Sequence, residues 1–218
     1  MIMKKLVIFD LDGTLLDTVA DLAAATNHAL ATLGFPIHPV DAYHQFVGRG
    51  ILNLFRNALP EGCMSEENVT RMRDLFVPYY NAHNTDATCP YPGIVSLLSE
   101  LHHSGIALAV ASNKYQAATE KLVKHFFPTI PFAVVLGQRE GFPLKPDPAI
   151  VGLIAGQTGA EPDDVLYVGD SGVDMQTARN AGVESVGVTW GFRPVAELTA
   201  AGAWHLVNTA EEILHFVG

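Results

Sequence analysis

Five short apolar runs, at residues 6–9, 106–111, 132–136, 165–168 and 185–189, are rich in β-branched side chains and do not alternate with polar positions. Strands of a parallel sheet covered on both faces have that pattern, because neither face meets water. Amphipathic stretches with helix punctuation lie between them. Pro92 opens one whose apolar positions include Val95, Leu98 and Leu101, and Gly105 closes it. Pro148 opens a second, through Ile150, Leu153 and Ile154 to a stop at Gly159; a shorter one carries Met175 and Ala178 and ends at Gly182. Strands alternating with helices predict an α/β fold, a Rossmann-like parallel sheet core with helices on both faces.

One stretch departs from this rhythm. From Asp17 to about His83 the pattern is helical, broken only near residues 34–39 and 60–62, and strands resume after Pro90-Tyr91-Pro92-Gly93. A crossover between strands normally carries one helix. Residues 17–88 are therefore read as a helical insertion after the first strand, and residues 1–16 and 89–218 as the α/β core.

Composition narrows the function. The 218 residues are enough to bury a core without a disulfide or structural metal. Thirteen Lys and Arg against 23 Asp and Glu give a formal charge of −10, which argues against a nucleic-acid partner. Cys63 and Cys89 have neither CxxC nor Cys/His spacing and read as reduced thiols of a cytoplasmic protein. After the opening Met1-Ile2-Met3-Lys4-Lys5, the apolar run stops at Asp10, well short of the about 7–15 residues of a secretory segment. Nor does any run reach the about 20 residues of a membrane span, so no membrane partner is expected.

Ligands of open parallel sheets bind at the carboxyl ends of the strands. The first strand is followed by Asp10-Leu11-Asp12-Gly13-Thr14, the second by Ser112-Asn113-Lys114, and the fourth by Gly169-Asp170 through Asp174. Lys145 lies just ahead of a helix start. Asp10, Asp12, Asp170 and Asp174 would place four negative charges at one edge against one lysine. Such a cluster needs a cation or bound protons, and Mg²⁺, which prefers oxygen ligands and substrate phosphates, is the expected cofactor. Asp10 and Asp12, two residues apart, can face the same side of the loop. One then attacks phosphorus while the other handles the leaving-group proton; Gly13 eases the turn, and the Ser112 hydroxyl can hold phosphoryl oxygens.

In order and spacing these segments closely resemble the four motifs of the haloacid dehalogenase superfamily of phosphohydrolases. The resemblance implies Asp10 as the nucleophile that becomes an aspartyl phosphate and Asp12 as general acid and base. It also implies Mg²⁺ on the Asp10 and Asp170 carboxylates and the Asp12 carbonyl, with Gly13, Thr14 and Asp174 in support. Lys145 and Ser112 would bind the phosphoryl group, with Asn113 beside them on the substrate, and the insertion would be the family's cap domain. Within the superfamily, Phe46-Val47-Gly48-Arg49-Gly50, Ser112-Asn113-Lys114 and Gly187-Val188-Thr189-Trp190-Gly191 are most similar to phosphoglycolate phosphatases. That subgroup implies a small phosphorylated metabolite, 2-phosphoglycolate foremost. Arg49 is the cap residue expected to reach it, since a guanidinium fork suits a carboxylate or phosphate. Gly172 and Val173 depart from the polar residues that relatives often carry after Gly-Asp-Ser.

Sugar-phosphate mutases and pyrophosphatases of the same superfamily remain alternatives, as does a non-catalytic binding scaffold. True dehalogenases generally lack an acid at the position of Asp12. Phosphonoacetaldehyde hydrolases need a cap lysine, and residues 17–88 contain none. The adjacent His102 and His103 suit a helix C-terminus better than a metal. Gly48–Gly50 fits neither a P-loop nor a dinucleotide fingerprint, so no nucleotide cofactor is expected.

Overall fold

The computed structural model describes residues 3–218; Met1 and Ile2, the head of the N-terminal segment considered above, lie outside the described residues. The chain begins with β1 (Leu6–Phe9) and passes through a two-residue strand, β2 (Leu16–Asp17), into four helices: α1 (Val19–Thr32), α2 (Tyr43–Phe46), α3 (Ile51–Ala58) and α4 (Glu66–His83). It returns through β3 (Cys89–Pro90), which pairs antiparallel with β2. Then follow α5 (Ile94–His103), β4 (Ala107–Tyr115), α6 (Gln116–Phe126), β5 (Val134–Gln138) and α7 (Ala149–Thr158). The last elements are β6 (Val165–Gly169), α8 (Gly172–Ala181), β7 (Glu184–Val188), α9 (Val195–Ala200) and β8 (His205–Val207). Six strands form one parallel sheet in the order β5-β4-β1-β6-β7-β8.

The non-alternating pattern has its expected cause. On β1, Val7 and Phe9 join an apolar cluster with Leu97, Leu101 and Val168, while Leu6 and Ile8 join a second with Ile150, Ile154 and Tyr167. Successive residues thus serve opposite faces of the sheet, and both faces are dry. Gly159 and Gly182 close α7 and α8 in the left-handed conformation, which glycine adopts without steric cost.

The boundaries differ in informative ways. The second strand runs to Tyr115 rather than stopping at Ala111, with a break in its register against β5 between those residues. Ser112, Asn113 and Lys114 therefore stand on an extended strand end and not in a loop. The third strand is 134–138 rather than 132–136, and the last of the five apolar runs forms β7 at 184–188 rather than 185–189. Three strands escaped the sequence pattern: β2 and β3, of two residues each, and β8, of three. None is long enough to display a period.

The insertion has a core of its own, in which Val19, Leu22, Tyr43, Leu54, Met72 and Phe76 pack together, joined by Ala118 and Phe192 from the α/β part. Phe76 is its centre, edge-on to Phe55 at 5.2 Å and stacked on Tyr80 at 5.1 Å. Ser65 caps α4 by accepting the Asn68 N–H. Cys63 and Cys89 are free, and no helix among the described residues is long and apolar enough to cross a membrane. Truncation by Phe76→Ala is expected to cost about 3–5 kcal/mol, read as a lower urea midpoint of unfolding.

Candidate active site

Asp10 leaves the end of β1 with its N–H still bonded to the Val168 carbonyl of β6. The chain then turns sharply, with the N–H groups of Thr14, Leu15 and Leu16 all converging on the Leu11 carbonyl. Gly13 is at φ +88°, and a Cβ there would lie 2.4 Å from Asp170 Oδ2, so only glycine fits. Thr14 donates its hydroxyl to Asp170 Oδ1 at 3.3 Å and accepts the Trp190 indole N–H at its carbonyl.

Lys145 lies at the centre, almost fully buried. Its ammonium reaches Asp10 Oδ1 at 3.0 Å, Asp174 Oδ1 at 2.7 Å and the Ala111 carbonyl at 2.9 Å. Asp10 Oδ1 also accepts the Leu11 N–H at 2.7 Å. Asp10 Oδ2 has no hydrogen-bond partner among the described residues. Asp174 commits its second oxygen to the Ser171 N–H and hydroxyl, at 3.1 and 2.5 Å. Asp170 accepts the Phe192 N–H at 2.7 Å. Gly191 makes room for Asp170, because a Cβ there would meet Asp170 Cβ at 2.2 Å.

Asp10, Asp170 and Asp174 each offer an oxygen within 4.8 Å of the others. Burial, reinforced by Asp174 and Asp12 and opposed by Lys145, pushes the Asp10 carboxyl from its ordinary 3.8 up to about 7. Burial, then repulsion from Asp174 and Asp10, raises Asp170 well above the usual range. Burial alone would lower the Lys145 ammonium, but Asp10 and Asp174 outweigh it and hold the group well above its ordinary value. This donor set fits a hard divalent ion: oxygens only, buried, with more negative charge than one lysine neutralises. Asp174, tied to Lys145 and Ser171, suits a supporting place better than a primary one.

The Asp12 carboxylate turns elsewhere. It accepts the Thr18 hydroxyl at 2.7 Å and the Lys114 ammonium at 2.9 and 3.0 Å. Lys114 is buried and had no role in the sequence reading, although it stands two residues from Ser112 on a strand, the spacing that brings side chains to one side. Ser112 Oγ accepts the Lys114 N–H, which leaves its own hydrogen free to donate. The Asn113 amide is bound up with the protein: it donates to the Gly48 and Lys145 carbonyls and accepts the Lys145 N–H. It ties the insertion to the Lys145 segment.

A partly open cavity lies over these groups. Asp10, Asp12, Ser112, Asn113 and Lys114 line it from the sheet side, and Leu22, Val47, Ile51, Leu54 and Phe76 from the insertion. Arg49 is not brought to this cavity. It lines a larger one of about 540 Å³, with Asn53, Gln176 and Arg193, which shares only the Val47–Gly48 wall. Arg193, also missed by the sequence reading, donates to the carbonyls of His44, Gln45 and Val47 and so holds the insertion loop against the core.

A buried lysine among acids at the carboxyl edge of a parallel sheet, beneath a helical lid, is the arrangement of an α/β hydrolytic enzyme that works on an anionic group. Residues 7–188 match the haloacid dehalogenase-like hydrolase family, and the chain belongs to it. It is 32% identical to a phosphoglycolate phosphatase of Vibrio parahaemolyticus over 98% of this chain and 96% of that one. With a phosphoglycolate phosphatase of Agrobacterium fabrum it shares 37% identity over 90% and 86% of the two chains. A crystal structure of a predicted phosphoglycolate phosphatase from Haemophilus somnus 129PT superposes with a TM-score of 0.93 over the whole of both chains, at 28% identity.

The raised Asp10 carboxyl sets a pH dependence. The fold binds this proton more tightly than the unfolded chain does, so its contribution to stability is present below about pH 4 and lost as pH rises through about 7. A divalent ion competes with the same proton. Added Mg²⁺ is therefore expected to raise the melting temperature more at pH 8 than at pH 6, by scanning calorimetry without substrate.

Proposed function

We propose that this phosphomonoester hydrolase removes the phosphoryl group of 2-phosphoglycolate through an aspartyl phosphate on Asp10. The observation that carries the reading is the asymmetry of Asp10: the Leu11 N–H and Lys145 hold one oxygen, while the other has no protein donor. That is the state required of a carboxylate nucleophile, positioned but unquenched.

The steps follow from the surrounding groups. Asp10 Oδ2 attacks phosphorus, the ester P–O bond breaks, and Asp12 gives its proton to the departing alkoxide. A water then attacks the aspartyl phosphate as Asp12 takes up its proton, releasing inorganic phosphate and the free carboxylate. The Ser112 hydroxyl donates to a phosphoryl oxygen, and Lys145 offsets the charge of the phosphoryl group and of Asp10. Mg²⁺, held by the Asp10 and Asp170 carboxylates and the Asp12 carbonyl, would supply charge neutralisation and alignment of the phosphoryl oxygens.

Residues 17–88 act in this reading as a cap that swings on the β2–β3 pair. Opening of the cap would admit substrate and closing would exclude bulk water. The apolar roof of Leu22, Ile51, Leu54 and Phe76 offers sugar hydroxyls no hydrogen-bonding side chain, which favours a two-carbon acid over a sugar phosphate. Arg49, facing the larger cavity, serves the approach of an anion rather than its final seat.

Asp10→Asn is expected to cut phosphate release from 2-phosphoglycolate with Mg²⁺ by at least about 1,000-fold, on the order of other nucleophile deletions. Near wild-type turnover by that variant would remove Asp10 as nucleophile. A higher kcat/KM for hexose phosphates than for 2-phosphoglycolate would overturn the substrate.

A further inference from the structure

We propose that Lys114 is the residue that recognises the substrate's carboxylate, an assignment that rests on the 2-phosphoglycolate reading above. A carboxylate entering the small cavity leaves water for a roof of Leu22, Ile51, Leu54 and Phe76. An unpaired charge cannot be carried there without a large desolvation cost. Among the described residues lining this cavity, Lys114 is the one with a cationic side chain. Lys145 is not available: its three ammonium hydrogens are matched by Asp10, Asp174 and the Ala111 carbonyl. Arg49 and Arg193 line the other cavity.

Lys114 has capacity to spare. Its hydrogen-bond acceptors are the two oxygens of a single carboxylate, Asp12, and an ammonium has three hydrogens to give. The group is also preset. Tyr80 of the insertion presents its ring face to Nζ at 4.8 Å. The Lys114 N–H is held by Ser112, and its carbonyl accepts the Thr119 hydroxyl at 3.2 Å. Gly137 of β5 passes so close that a Cβ there would come within 2.5 Å of that carbonyl. A rigid backbone thus sets a buried cation, paired with Asp12, in the wall of the cavity that Asp10 also lines. In 2-phosphoglycolate a single methylene separates the carboxylate from the ester oxygen, so a phosphoryl group at Asp10 and a carboxylate at Lys114 fit one short cavity.

The test compares 2-phosphoglycolate with ethyl phosphate, in which a methyl replaces the carboxylate. Wild-type enzyme is expected to prefer the former. In K114Q both reactions slow, because Asp12 loses its partner, but the kcat/KM ratio of the two substrates falls by at least a further tenfold or so, the worth of one charged hydrogen bond. The extra loss appears in the KM for 2-phosphoglycolate. Equal losses on both substrates would overturn the assignment and leave Lys114 as a positioning residue for Asp12. Collapse of the ratio in R49Q instead of K114Q would overturn it in favour of Arg49. If wild-type enzyme itself shows no preference, the substrate reading fails first and this assignment with it, a result distinct from either variant outcome. Should K114Q not fold, K114R is read in its place: a selective rise in the 2-phosphoglycolate KM supports the assignment, and parallel changes on both substrates refute it.

Discussion

A buried ammonium is costly unless acceptors surround it, and Lys145 gathers its acceptors from three remote parts of the chain. Asp10 comes from the end of β1, the Ala111 carbonyl from β4, and Asp174 from the first turn of α8. Each is useful only if the sheet order brings β4, β1 and β6 side by side, as it does. The contact therefore makes fold and site interdependent. Removing the lysine would leave buried carboxylates facing one another, and removing the carboxylates would strand the charge.

The same contact sorts the acids by task. Lys145 and Ser171 occupy Asp174, which then orients the lysine. Phe192 and Thr14 steady Asp170. Asp12 is drawn toward Thr18 and Lys114 and away from the others. Four like charges are kept compatible by giving each a different partner, and Asp10 alone keeps an oxygen without a donor among the described residues.

Much of this was legible in the chain because the burial of each strand on both faces writes an unbroken apolar run, and the polar residues that follow each run mark the sheet edge. Asp10, Asp12, Asp170, Asp174 and Lys145 could be placed at one edge on those grounds. What could not be read depends on side-chain direction. Nothing local to Ser112-Asn113-Lys114 says that Asp12, about a hundred residues away, turns to meet the Lys114 ammonium. Arg49 was expected to reach the substrate, yet it lines the neighbouring cavity. Gly191 and Arg193 act through a backbone approach and through main-chain carbonyls, neither of which leaves a pattern in side-chain chemistry. β8 and the β2–β3 pair are shorter than any period that could announce them.

The β2–β3 pair has a further consequence. The chain departs for four helices at Asp17 and comes back at Cys89, and these two residues are register partners. Departure and return are thus stitched together outside the main sheet, and the entropy of closing that excursion grows only slowly with its length. The roof over a fixed chemical floor can consequently be enlarged, shortened or exchanged without re-threading a single ladder of the six-stranded sheet. Such an anatomy separates the evolution of selectivity from the preservation of reactivity.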